Sequence, residues 1–232
     1  MASSSSTGSA SVRTARVALI NLNESASNVL RECFRQFKID TVSLYEDAPQ
    51  RLRREKFEAC VLPLQEDSTD ILEAARTSPS NSRIVVYGIS RSLQDALRFS
   101  RFGLNAVLDE PVERQNALRA VRSTHLLVLH EFRRYIRLPI VTKVMVATEA
   151  RQIPASSEEI SAGGMSLKLP TRLRIGDSVE VAFDLPKRPG LKVRATACWV
   201  HEPAEMLGVR FDVTDDRRLR VREWIDEYLE ML

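Results

Sequence analysis

The chain has little cysteine, little glycine, few aromatics and no long apolar run. The three cysteines among 232 residues, Cys33, Cys60 and Cys198, are odd in number and far apart, which excludes a disulfide framework. Each lies in an apolar context, so all of them read as buried free thiols in a reducing compartment. The histidines His125, His130 and His201 share no ligand spacing with the cysteines, and no metal site is expected. His125 and His130 read as structural. The eight glycines form no phosphate-cradling loop. No stretch approaches the roughly 20 apolar residues of a membrane span. The Ser-rich start, Met1 to Ser11, lacks the apolar segment of a secretory signal. Excess charge is missing too. Basic residues number 34 and acidic residues 31, a balance too even for coating nucleic acid. The expectation is a cytoplasmic chain with neither membrane insertion nor a nucleic-acid partner.

What is present is enough apolar material, 44% of the chain, for two cores. Residues 1–14 read as a disordered tail, because small polar side chains do not offset ordering entropy. From Arg16 to Tyr135, short apolar runs alternate with helical stretches. The runs are 16–20, 39–44, 59–64, 84–87 and 106–108. The helices are 25–37, 48–56, 69–76, 93–102 and 112–135. Ser25 or Ser27 is the expected cap of the first helix, and Gly103 the stop of the fourth. Apolar strands joined by helices imply β-α-β units and a parallel sheet, here a flavodoxin-like (βα)5 domain over 15–132.

After Arg137 the period changes. Alternating runs at 140–147, 166–169, 178–185, 191–200 and 207–213 are separated by Gly163-Gly164, Ile175-Gly176-Asp177 and Pro186–Gly190. Such spacing predicts a small antiparallel barrel or sandwich over 133–232. From Asp215 a terminal helix carries an apolar face of Leu219, Trp224, Ile225, Tyr228, Leu229 and Leu232. Trp199 reads as a barrel-core residue. The run Arg217-Arg218-Leu219-Arg220-Val221-Arg222 reads as the solvated side of that helix.

The first domain resembles the receiver domain of two-component response regulators. That resemblance implies acidic residues after the first strand, an aspartate ending the third, a hydroxyl ending the fourth and a lysine before proline ending the fifth. Here those places carry Asn21-Leu22-Asn23, Pro63, Tyr87-Gly88 and Glu110. Metal, nucleophile and cation are all missing, so the expectation is a pseudo-receiver with no phosphorylation site, used for interaction or homodimer formation.

Two patterns open the second domain: Arg133-x-x-x-Arg137, and Glu159-Ile160-Ser161-Ala162-Gly163-Gly164. With Ile175-Gly176-Asp177, Ala197-Cys198-Trp199-Val200 and Leu207-Gly208-Val209-Arg210-Phe211 behind them, they resemble the PilZ domain. This is a bacterial six-stranded barrel that serves as a cyclic di-GMP receptor and carries RxxxR and [DN]xSxxG motifs. The resemblance implies ligand contacts at Arg133, Arg137, Ser161 and Gly164. Arg134, Glu159 and Gly163 join the candidate set. A guanidinium fork matches the guanine N7 and O6 acceptors, or a phosphate. A carboxylate accepts from guanine N1–H and N2–H. Gly164 is expected to supply a φ > 0 turn and a close approach. Glu159 departs from the family's Asp or Asn by one methylene. No serine–histidine–acid set, metal box or other catalytic constellation appears. The expectation is a cyclic di-GMP adaptor acting on an unknown downstream protein, not an enzyme, with no cofactor. The alternative is a protein-interaction module of the same family that binds no nucleotide.

Overall fold

The computed structural model describes residues 14–170, 173–201, 203 and 205–231. The expected tail, apart from Thr14, lies outside these residues, as does Leu232 of the terminal helix. The chain divides into two compact units between Phe132 and Arg133.

In the first unit, β1 (Arg16–Ile20), β2 (Asp40–Leu44), β3 (Ala59–Pro63), β4 (Val85–Ser90) and β5 (Ala106–Asp109) form one sheet. Its order is β2-β1-β3-β4-β5 and all its pairings are parallel. This is the doubly wound arrangement that alternating strands and helices require. Successive strand residues face opposite ways, so each strand feeds two cores. Val17, Leu19, Val61 and Tyr87 pack with Leu30 and Phe34 of α1 (Glu24–Arg35) and Val121 of α5 (Arg114–Tyr135). Ala18, Ile20, Cys60 and Leu62 pack with Leu52 of α2 (Ala48–Arg54), Leu72 of α3 (Ser68–Thr77) and Ala96 of α4 (Leu93–Arg98).

Two local expectations are corrected. Asn23, not a serine, caps α1: its Oδ1 accepts from Ala26 N–H at 2.8 Å, and Ser27 is buried inside the helix. The fourth helical stretch splits into α4 and a 3-10 turn, Ser100–Phe102, which Gly103 ends at φ +68°. Cys60 is fully buried, and burial pushes its thiol up to about 12. It is an inert core group.

In the second unit, β6 (Lys143–Ala147), β7 (Gln152–Ser161), β8 (Gly164–Lys168), β9 (Ser178–Leu185), β10 (Arg188–His201) and β11 (Met206–Phe211) close a barrel. The order around it is β10-β11-β8-β7-β6-β9. The periodicity missed β7. Pro154, Glu158 and Glu159 interrupt its alternation, and only its pairing on both sides makes it a strand. Pro186 and Lys187 form the two-residue turn between β9 and β10, with Lys187 at φ +62°. The terminal helix is α6 (Arg218–Glu230), which buries Val221, Trp224 and Ile225. The Trp224 indole donates to Pro186 O at 2.9 Å. Ahead of α6, buried Asp215 accepts from Arg194 N–H at 2.8 Å and from the Arg217 guanidinium at 2.8 Å. That guanidinium holds the Asp215 carboxyl well below the usual carboxylate range. Arg217 also meets Glu180 at 3.1 Å, so the start of the arginine run ties the helix entry to the barrel.

Candidate functional site

The outer face of the barrel carries a cleft of about 280 Å3 across β7, β8, β11 and β10. Ligand clefts usually span roughly 300–1,000 Å3, so it takes part of a ligand and does not enclose one. Two cross-strand rows build it. Glu159, Ser166, Gly208 and Trp199 are successive partners across the four strands. Ser161, Gly164 and Arg210 form the second row.

Two β-bulges turn these side chains outward. In β7 the register shifts between Ser157 and Glu159, so the inward phase passes from Ile153 and Ser157 to Ile160. Glu159 and Ser161, which unbroken alternation would bury, face out. In β10 the shift between Ala197 and Trp199 does the same to Trp199. One extra residue on one strand reverses every side chain beyond it. The core assignment of Trp199 is therefore corrected: it is half-buried, lines the cleft and lies over Gly208. Cys198 is corrected with it. It is the bulge residue, its side chain is exposed, and its thiol donates to Gly208 O at 3.1 Å. Cys33 and Cys60 are buried as expected.

Arg137 reaches the cleft from the segment before β6. Leu138 pairs with Ile160 in an isolated antiparallel bridge, each N–H bonded to the other's carbonyl at 2.8 and 2.9 Å. Buried Ser157 donates to Ile140 O at 2.6 Å and accepts from Thr142 N–H at 3.0 Å. With Ile136 and Leu138 buried, alternation leaves Arg137 exposed on the cleft side.

Of the seven candidate residues, Arg137, Glu159, Ser161, Gly163 and Gly164 line this one cleft. Arg133 and Arg134 do not. Arg133 pairs with Asp226 at 3.3 Å and Glu230 at 3.7 Å, both on α6. The Arg134 guanidinium lies 5.6 Å from the centre of the Tyr135 ring. The Ser161 hydroxyl donates to Gly164 O at 2.9 Å, tightening the turn, and the Ser166 hydroxyl accepts from Glu159 N–H at 3.1 Å. Gly164 is corrected in its reason: its φ is not positive. A Cβ there would fall 2.1 Å from Val209 O, so glycine is required by contact. Sequence reasoning missed Arg210, Ser166, Trp199 and Cys198 as cleft residues. The available signal was Arg210 itself, a lone cation on the polar phase between Val209 and Phe211.

In the first unit the receiver-like places are equally specific. Asn21 stands just past β1 at φ +51°. Pro63 is the last residue of β3, and its carbonyl accepts from Ser68 Oγ at 2.6 Å. The fourth strand is longer than the apolar run suggested. It ends at Ser90 and not at Tyr87-Gly88, and the Ser90 hydroxyl donates to Ser92 O at 2.8 Å. Buried Tyr87 shares a hydrogen bond with Thr124 Oγ1 at 2.6 Å, and burial pushes its hydroxyl up to about 12. Glu110 meets Arg91 at 2.8 Å. Among the described residues no group of three or more histidine, cysteine or acidic side chains could hold a metal ion. No helix among them is long and apolar enough to cross a membrane.

The PilZ domain family model matches residues 131–230, nearly the whole of the second unit. Among solved structures, the PilZ domain of CeSA from a cellulose-synthesizing bacterium is 17% identical. It aligns over 39% of this chain and 98% of that one, at a TM-score of 0.34. The receiver domain of a sensor histidine kinase from Pseudomonas aeruginosa, holding magnesium in its cleft, is 17% identical. That alignment covers 47% and 97% of the two chains at a TM-score of 0.41. The chemotaxis response regulator CheY4 of Vibrio cholerae is 9% identical over 48% and 98%, at 0.43. No curated protein matches the chain.

Proposed function

We propose that the barrel is a cyclic di-GMP receptor in a cytoplasmic signalling adaptor, and that the first unit is a non-phosphorylatable receiver used for protein interaction or self-pairing. One observation carries the reading: Arg137, Glu159, Ser161, Gly163 and Gly164 converge on a single outer-face cleft. The ligand has two guanine edges and two phosphodiester anions. A guanidinium fork suits either the N7/O6 edge or a phosphate, and a carboxylate suits the N1–H and N2–H donors. Serine and glycines let a flat, charged ring approach the backbone. The adaptor carries no reaction of its own.

Calorimetric titration of the full chain with cyclic di-GMP tests this. Binding is expected at micromolar ligand. Arg137→Ala should weaken it roughly ten- to hundredfold, the loss of one charge-assisted contact, with the fold unchanged because the side chain is exposed. Glu159→Asp should leave binding equal or tighter. No heat from folded protein would defeat the reading.

A second reading, an interaction module that binds no nucleotide, is favoured by the engagement of Arg133 with Asp226 and Glu230. The same titration separates the two.

For the first unit, the support is Pro63 at the phosphoacceptor place and Glu110 at the lysine place. Incubation with acetyl phosphate and magnesium should add no phosphoryl mass. A stoichiometric phosphorylated species would show that a neighbouring carboxylate takes over.

A further inference from the structure

The cleft has a second cation that neither sequence motif contains. Arg210 lies directly across the β8–β11 ladder from Gly164 and is exposed. The antiparallel bridge of Leu138 with Ile160 sets Arg137 opposite Ser161. Arg137, Ser161, Gly164 and Arg210 therefore form one row across the face, with Thr196 next beyond it. Neighbouring strands lie about 4.8 Å apart, so the two arginine backbones stand roughly 14 Å apart over a floor of serine and glycine. Both side chains line the same cleft. Among the described residues neither has an ion pair, and Glu159 is the one carboxylate lining the cleft.

Two guanidinium groups at the ends of a nearly bare floor leave a local excess of positive charge. An anion spanning the floor would relieve it. Arg133 is directed elsewhere, toward Asp226 and Glu230 on α6. A half-exposed pair of this kind is weak, so direction, not tightness, takes Arg133 out of the cleft.

We propose that Arg210 is the second cation of the site, holding the anionic part of the nucleotide opposite Arg137 in the place that the RxxxR resemblance gives to Arg133. This rests on the nucleotide-binding reading above.

The test is a titration of the full chain with cyclic di-GMP, using wild type, Arg210→Ala, Arg210→Lys and Arg133→Ala, each with a thermal melt. Arg210→Ala should weaken binding roughly ten- to hundredfold. Arg210→Lys should recover part of that, since it restores the charge without the planar fork. Arg133→Ala should change affinity by less than about threefold, well under one charge-assisted contact. Melts of the Arg210 variants should match wild type, because the side chain is exposed and makes no ion pair among the described residues. Wild-type binding that Arg210→Ala leaves intact overturns this inference and leaves the nucleotide reading standing. A loss from Arg133→Ala as large as that from Arg210→Ala also overturns it. Failure of the wild type to bind overturns both.

Discussion

Gly164→Ala should abolish the proposed nucleotide binding and lower the melting temperature of the barrel by at least about 10 °C. The added Cβ would sit 2.1 Å from Val209 O and 3.1 Å from Arg210 Cα. Both are backbone atoms of the next strand, so no rotamer relieves the clash. β8 and β11 must separate where they are paired, at Gly164–Arg210 and Met165–Val209. Overpacking a fitted interior costs about 1–3 kcal/mol, and moving a ladder puts this case at the upper end. For a unit near 100 residues, about 3 kcal/mol corresponds to more than 10 °C. The same separation moves Arg210 away from Ser161, so affinity is lost with stability. Gly163 is the control. Nothing lies within 4 Å of its added Cβ, and Gly163→Ala should melt like wild type. Gly208→Ala is a softer case, because the atoms it meets belong to the Trp199 side chain, which can swing away. Calorimetric melts of the full chain distinguish the three. A Gly164→Ala barrel as stable as that of Gly163→Ala would refute the contact argument.

The second large effect is expected in the first unit. Asn81→Ala should cost the first unit about 3–5 kcal/mol. Asn81 is fully buried. Its Nδ2 donates to Leu52 O at 2.6 Å and Glu55 O at 2.7 Å, and its Oδ1 accepts from Phe57 N–H at 2.9 Å. One side chain therefore serves backbone groups at the end of α2 and the approach to β3. Alanine leaves those groups without a partner, and each unsatisfied buried group costs about 1–3 kcal/mol. Asn81→Asp should do little better. It keeps the acceptor for Phe57 but turns an oxygen toward two carbonyls. Denaturant unfolding of the full chain measures the loss, and a change below about 1 kcal/mol would show that water takes over the three bonds.

The periodicity of the chain was enough to separate its two architectures. Continuous apolar runs such as Ala59–Leu62 belong to a parallel sheet covered on both faces. Alternation such as Val179, Val181, Phe183 and Leu185 belongs to a strand with one face in the core. The motif residues were legible because their chemistry is unusual for a turn: arginines before a first strand, then serine and glycines after a carboxylate. The hub role of Asn81 was not legible. In Ser78-Pro79-Ser80-Asn81 it reads as a helix breaker, and only packing reveals which carbonyls it meets.

By itself the sequence determined the two periods, the presence of proline at 63 and glutamate at 110 on which the pseudo-receiver proposal rests, and the polar small-residue turn of the barrel. Tertiary structure alone decided which side chains share the cleft. The bulges at Glu158 and Cys198 reverse the facing of Glu159, Ser161 and Trp199. The ladder brings Arg210 across from Gly164, and α6 draws Arg133 away. The reason is physical: a strand's facing is a matter of counting by twos, and one extra residue, invisible to local pattern, changes the count for everything after it.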